Sequence, residues 1–394
     1  MSRHYYLRHR AIMKKKKKKV FRELADKYRC DGTTPRCAHF GLCGGCMFQD
    51  IPYGNQLLLK KEYINNLLEG LAVIDKVSPG EPYDYRNRMD MVTAFGKVGL
   101  REPGNYKSVV DIDSCEIMQE NSRDLYKKIA PLARNIEGYN YLSHKGFLRY
   151  AVIRQARFTG QVMAGLVVAQ NDDRRTLDGL IEAVIDDTDS LSIITQGGLA
   201  DLSFGEITET LKGGFIEEDF DGVRFRITPN SFFQSNSAVA LEMYREIKKE
   251  TEGRVLDLYS GVGTISLFVA GQAEHVTGIE MISESVDNAG INRELNGISN
   301  VEFICADTRP FLKEHQGAYD TLIMDPPRSG MHPKVTKAVN EMNTEKIIYM
   351  SCNPATFRDD LLILENYRLE SFRAWDMFPQ TPHVETLAVL KRKQ

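Results

Sequence analysis

Two side chains near the C-terminus have the chemistry of covalent catalysis. Cys352 lies in Ser351-Cys352-Asn353-Pro354, directly after the apolar run 347–350. Ligands of open α/β sheets bind at the carboxyl ends of the strands, and a thiolate placed there is a nucleophile. A small buried residue is the other ordinary fate of a cysteine, so position alone leaves both roles open. Glu385 follows His383-Val384 and precedes the last apolar run, 386–390. A glutamate buried beside a strand needs a partner or a task.

A third feature is a nucleotide-type turn. Arg254-Val-Leu-Asp257-Leu-Tyr259-Ser-Gly261-Val-Gly263-Thr264 reads as a strand, a glycine turn and a helix start. A dinucleotide fingerprint would carry a third glycine at 266, where Ser266 stands. Asp257 also fits poorly beside a pyrophosphate. Asp-x-x-x-Gly-x-Gly instead resembles motif I of S-adenosylmethionine methyltransferases. Glu280 and Asp307 end the next two strands, where one carboxylate can accept from ribose hydroxyls and the other from an adenine amino group. Asp325-Pro-Pro-Arg328 ends a fourth strand. An aromatic after Asp-Pro-Pro would suit methylation of an amino nitrogen. Arg328 takes its place and removes that stacking platform.

Seven cysteines in 394 residues, with no secretory leader expected, argue against a disulfide framework. Cys37-x5-Cys43-Gly-Gly-Cys46 is compact, and Cys115 is the obvious fourth ligand. Four cysteines suit zinc or an iron–sulfur cluster. A triplet with one distant partner leans toward [4Fe–4S], because zinc usually takes two short pairs. Cys30 is a weaker alternative ligand, and Cys305 reads as a core cysteine.

The elements that must position these groups fall into four segments: a basic arm (1–30), a cysteine segment (31–75), a central β-rich domain (76–230) and a C-terminal domain (231–394). Leu57, Leu58, Ile64, Leu67 and Leu68 predict a helix over 55–68. Apolar runs at 89–95, 151–158, 162–169 and 191–195 predict an antiparallel sheet, with a helix over 120–136. From 231 onward short buried strands alternate with helical stretches, the pattern of a doubly wound α/β sheet. No apolar run spans a bilayer, and nothing calls for a protein partner; the expected compartment is the cytoplasm. Residues 1–30 hold twelve Lys or Arg against two acids, with Lys14–Lys19 consecutive, whereas the whole chain carries a formal charge of −3. Such an arm favours a phosphate-rich partner or is a solvated tail.

Taken in order, Cys37-x5-Cys43-Gly-Gly-Cys46, Ser231-Phe-Phe-Gln234, the Asp257–Gly263 turn, Asp325-Pro-Pro-Arg328, Ser351-Cys352-Asn353-Pro354 and His383-Val-Glu385 closely resemble the RNA uracil-C5 methyltransferases of the TrmA/RumA/RumB type. The match runs from about residue 37 to 390. The resemblance implies a class I methyltransferase domain and a [4Fe–4S] cluster on Cys37, Cys43, Cys46 and Cys115. It implies S-adenosylmethionine at Gln234, Tyr259, Thr264, Glu280, Asp307 and Asp325, with Cys352 as nucleophile and Glu385 as base. Phe232 falls near the target base, and Arg328 or Gln234 can donate to the uracil enolate. Thr264 departs from the asparagine of some relatives. The Phe-Phe-Gln form and the short stretch before Cys37, with no room for an RNA-binding barrel, point first to 23S ribosomal RNA as substrate, with a transfer-RNA T-loop uridine as the alternative.

Overall fold

The computed structural model describes residues 20–170 and 174–394. The Lys14–Lys19 run lies outside them. Residues 20–28 are helical, and the first long helix, Tyr53–Leu67, covers the stretch that the leucine spacing predicts. A two-residue strand β1 (Val77–Ser78) follows.

The central sheet contains β2 (Arg88–Ala94), β3 (Lys97–Glu102), β4 (Asn105–Asp111), β5 (Leu148–Gln155), β6 (Val162–Val168), β7 (Ser190–Thr195) and β8 (Glu206–Lys212), in the order β4-β3-β2-β5-β6-β7-β8. It is mixed rather than antiparallel. β6 and β7 pair in parallel, because the segment between them crosses over through the helix Asp178–Val184 instead of a tight turn. β5 and β6 are buried at every position, which explains their unbroken apolar runs. The helix Glu120–Ala133 lays Leu125, Tyr126, Ile129 and Ala130 on one face of this sheet. The Tyr126 hydroxyl donates to the carbonyls of Val98 and Ile112 at 3.0 and 2.9 Å.

A hairpin of β9 (Ile216–Phe220) and β10 (Val223–Ile227) turns at Asp221-Gly222, both with positive φ (53° and 88°), the backbone that two-residue hairpins favour. Its Phe220 and Phe225 pack with Phe233 and Tyr244 in one aromatic cluster.

The second sheet holds β11 (Arg254–Leu258), β12 (His275–Glu280), β13 (Val301–Cys305), β14 (Thr321–Met324), β15 (Lys346–Ser351), β16 (Tyr367–Trp375) and β17 (Glu385–Arg392), with β1 at one edge: β1-β16-β17-β15-β14-β11-β12-β13. β17 is antiparallel to both β15 and β16, and the other neighbours pair in parallel. The chain moves outward from β11 to β13 and returns to β14, so the strand order reverses between β11 and β14. A crevice at such a reversal is where open α/β sheets hold ligands.

Residues 31–75 divide between two cores. Leu59, Tyr63 and Ile64 pack with Leu256, Leu322 and Ile347 of the second sheet, whereas Cys43 and Cys46 pack on the central-sheet core. Lys60 on the helix Tyr53–Leu67 is fully buried and reaches Asp376, also fully buried, at 2.5 Å. It also donates to the Phe378 carbonyl at 3.2 Å. Removing one partner of such a pair strands a charge without water. Lys60→Met is expected to lower stability by about 3–5 kcal/mol. Replacing both partners by apolar residues of similar volume should recover most of it, read as the urea midpoint.

Candidate active site

The glycine turn is built by Asp257 at the end of β11. Its carboxylate accepts from the Ser266 hydroxyl at 2.6 Å, which folds the helix Thr264–Val269 back on the strand. Gly263 has φ +81°, and a Cβ there would lie 2.5 Å from Phe303 Cζ, so this position admits only glycine. Glu280, ending β12, closes the crevice from the next strand. It accepts from the amides of Gly261, Met281 and Ile282 at 3.2, 2.7 and 2.9 Å. Asp307 caps the helix Thr308–Glu314 by accepting from Arg309 N at 2.8 Å. Thr264 begins the helix after the turn, its hydroxyl 3.3 Å from the Tyr244 hydroxyl. Tyr259 takes φ +65° at the turn. Burial pushes its phenol up to about 12, with Asp360 and Asp307 adding to the rise. Asp325 ends β14 and accepts from the Gln234 amide at 3.2 Å. Tyr259, Glu280 and Asp325 thus stand at or directly after strand ends, Thr264 and Asp307 stand at helix starts that follow strands, and Gln234 is tied to Asp325.

Cys352 and Glu385 meet by register. Ser351 on β15 pairs with Thr386 on β17, so the next residue on one strand faces the preceding residue on the other. Glu385 is buried and one of its carboxylate oxygens has no hydrogen-bond partner. Burial holds its carboxyl well above the usual carboxylate range, the nearby Asp325 charge adds to that, and Arg328 opposes it. The Cys352 thiol is pushed up to about 12, first by burial and then by the Glu385 and Asp325 charges, with Arg328 again opposing. Arg328 is exposed and 2.7 Å from His383 Nδ1. Its carbonyl accepts from the Asn353 amide at 3.1 Å, tying the Pro-Pro-Arg loop to the cysteine loop. Phe233 is buried in the aromatic cluster, and this turns the neighbouring Phe232 outward, 69 % exposed. A bare aromatic face of this kind suits a flat, unstacked base.

Four cysteines converge elsewhere. Cys37, Cys43, Cys46 and Cys115 line one small cavity with His39. Gly44 donates to the Arg101 carbonyl at 2.9 Å, and a Cβ on Gly44 would lie 2.8 Å from that same oxygen. Only glycine lets the loop sit this close to β3. Burial raises the thiols of Cys43, Cys46 and Cys115, the last two to about 11 and about 12, and each is raised further by a neighbouring thiolate. Among the described residues, no three His, Cys, Asp or Glu side chains are arranged to hold one metal ion. Cys30 is exposed, its sulfur 3.3 Å from the Asn55 amide. Cys305 is also exposed, against the expectation of a core cysteine. It ends an edge strand, and its thiol points to the Met281 carbonyl at 3.6 Å.

Comparison with known proteins bears on this geometry. The family described as tRNA (Uracil-5-)-methyltransferase matches residues 211–393. A tRNA (uracil(54)-C(5))-methyltransferase from Pyrococcus furiosus is 36 % identical over 360 residues, covering 91 % of this chain and 85 % of that protein. The chain belongs to the RNA uracil-C5 methyltransferase family. An RNA methyltransferase of Clostridium tetani is 36 % identical over 394 residues, covering 91 % of this chain and 84 % of its own length. Among solved structures, the Pyrococcus abyssi tRNA (uracil-54, C5)-methyltransferase in complex with S-adenosyl-L-homocysteine superposes with a TM-score of 0.76 at 34 % identity, covering 89 % and 86 % of the two chains. The protein is therefore an S-adenosylmethionine-dependent RNA uracil-C5 methyltransferase with the class I fold. Among the described residues, no helix is long and apolar enough to cross a membrane.

In a uracil-C5 methyltransferase several supports of this site carry no sequence signal. Gln56, Lys60, Asp376 and Gln380 belong to no motif, yet they fix the loop 376–384 that ends on Glu385. Burial pushes Asp325 and Asp257 up to about 7, and Asp257 adds to the rise at Asp325. Both are neutral below that pH and ionised above it, and a cationic sulfonium binds better to the ionised form. S-adenosylmethionine affinity is expected to rise between pH 6 and 8. Asp325→Asn should bind more weakly with a flatter pH profile, both read by titration calorimetry.

Proposed function

We propose that this enzyme methylates C5 of a T-loop uridine in transfer RNA. The support is the naming of relatives: those at 34–36 % identity that carry a substrate in their names carry tRNA uridine 54. Ribosomal RNA, which the Phe-Phe-Gln form and the short stretch before Cys37 favoured, takes second place on those names.

The observation that supports this mechanism is the register of β15 and β17, whose last pair, Ser351 with Thr386, sets Cys352 and Glu385 at the same end of the ladder. Uracil C5 is too weak a nucleophile to take a methyl group unaided. The Cys352 thiolate adds to C6, and the C5=C6 pair moves onto the ring carbonyl as an enolate. Arg328 or Gln234 donates to that oxygen. C5 then becomes nucleophilic. The cofactor supplies an electrophilic methyl group on a positively charged sulfur. Gln234, Tyr259, Thr264, Glu280, Asp307 and Asp325 hold it, and Phe232 stacks the target base. Glu385 next removes the C5 proton; the C–H pair re-forms C5=C6 and the C6–S bond breaks with its pair returning to sulfur. A carboxyl whose proton affinity is raised by burial is a stronger base once ionised.

Cys37, Cys43, Cys46 and Cys115 line one cavity, and a compact C-x5-C-x2-C triplet with one distant cysteine leans toward a [4Fe–4S] cluster rather than zinc. Methyl transfer is redox-neutral, so the cluster would hold the loop 37–46 in shape. Anaerobically purified protein is expected to hold about four iron and four sulfide per chain, and Cys43→Ser to lose them; stoichiometric zinc instead would overturn this assignment.

Activity gives the direct test. Cys352→Ala should abolish methylation and leave cofactor binding intact, whereas Glu385→Gln should accumulate a covalent enzyme–RNA adduct on denaturing gels. Incubation with separated transfer and ribosomal RNA should place 5-methyluridine in the T loop. Product confined to 23S RNA would sink the substrate assignment.

A further inference from the structure

The loop 376–384 joins Trp375 to Glu385, which are themselves paired across β16 and β17. Its shape therefore sets where the Glu385 carboxyl enters the site. Almost every anchor of that loop comes from outside the second sheet's own strands. Asp376 is held by Lys60, the Met377 carbonyl accepts from the Asn236 amide at 3.0 Å, and the Pro379 carbonyl from the Tyr85 hydroxyl at 3.0 Å.

The densest anchor is Gln380. It is buried and adopts φ +66°, a left-handed conformation that costs a non-glycine residue energy unless its surroundings impose it. Gln56 imposes it through a reciprocal pair. The Gln56 amide donates to Gln380 Oε1 at 2.8 Å, and the Gln380 backbone N–H donates to Gln56 Oε1 at 3.0 Å. The Gln380 carbonyl accepts from the backbone amides of Met47 and Phe48 at 2.7 and 3.1 Å. Those two residues directly follow Cys46. One buried glutamine thus joins the cysteine loop to the loop that carries Glu385.

We propose that Gln56 and Gln380 form a positioning pair that locks the Glu385 loop to the fold of the cysteine loop, so that the proton-abstraction half of the reaction depends on it. The proposal rests on Glu385 being the base. The pair touches neither the cofactor crevice nor Cys352. Its loss leaves cofactor binding, thiolate addition to C6 and methylation of C5 in place. What slows is the last step, in which the C5 proton passes to Glu385, the C–H electrons re-form C5=C6 and the thiolate departs. Displacing a base by about 1 Å can cost on the order of a hundredfold.

The experiment compares wild type, Gln56→Leu, Gln380→Gly and Glu385→Gln on one transfer-RNA substrate. The readouts are S-adenosylhomocysteine affinity, methylated covalent adduct on denaturing gels, and tritium release from C5-labelled uridine. Gln56→Leu should bind S-adenosylhomocysteine within about twofold of wild type, release tritium at least about tenfold more slowly and accumulate methylated adduct. Gln380→Gly suits the left-handed backbone and keeps both backbone ties, so it should fold; a delay of about threefold with visible adduct is expected. Adduct in Glu385→Gln with none in either glutamine variant would overturn the proposal and leave the base assignment standing. No adduct in Glu385→Gln would remove the base assignment, and the proposal with it. Equal slowing of methyl transfer and tritium release without adduct in Gln380→Gly would mark a merely structural role and overturn it as well.

Discussion

The antiparallel register of β15 and β17 is the constraint on which the rest depends. Pairing Ser351 with Thr386 brings a thiol and a buried carboxyl together at one end of an otherwise parallel sheet. A slip of one residue would turn Glu385 to the opposite face. The switch point between β11 and β14 opens at the same end, where Asp325 follows β14. Asp325 raises the proton affinity of both Cys352 and Glu385 while accepting from Gln234. One carboxylate thus acts on both Cys352 and Glu385 while it is tied to Gln234.

The N-terminal segment has a mechanical part in this arrangement. The helix Tyr53–Leu67 packs on the second sheet and sends Gln56 and Lys60 under the loop 376–384. The cysteine loop rests on the central sheet through Gly44 and touches Gln380 through Met47 and Phe48. A buried ion pair is weak as a source of stability, since desolvation offsets much of its attraction. It is directional, however, and so suits a loop that must hold one conformation. Reactive side chains keep useful geometry only when a supporting shell restrains them.

Much of this was legible in the sequence. Six strands of the second sheet, β11 to β15 and β17, announced themselves as short apolar runs, with the glycine turn, Cys352 and Glu385 at their ends, whereas β1 and β16 did not. The helix over 53–67 was visible in its leucine spacing. Other features were not readable, for physical reasons. The parallel pairing of β6 with β7 depends on a crossover, which alternation along a strand does not encode. Cys305 looked like a core residue from its apolar neighbours, but β13 is an edge strand. Lys60 and Gln56 find their partners more than 300 residues away, and a lone lysine or glutamine on a helix carries no mark of burial.

The covalent chemistry at Cys352 is the central claim, and transfer RNA carrying 5-fluorouridine at the target position tests it most directly. Fluorine at C5 cannot leave as a proton does, so the wild-type enzyme should stop after methyl transfer with the base still bonded to its thiol. A stoichiometric, S-adenosylmethionine-dependent adduct that peptide mapping places on Cys352 is the expected result. No adduct, or one on any other cysteine, would contradict it.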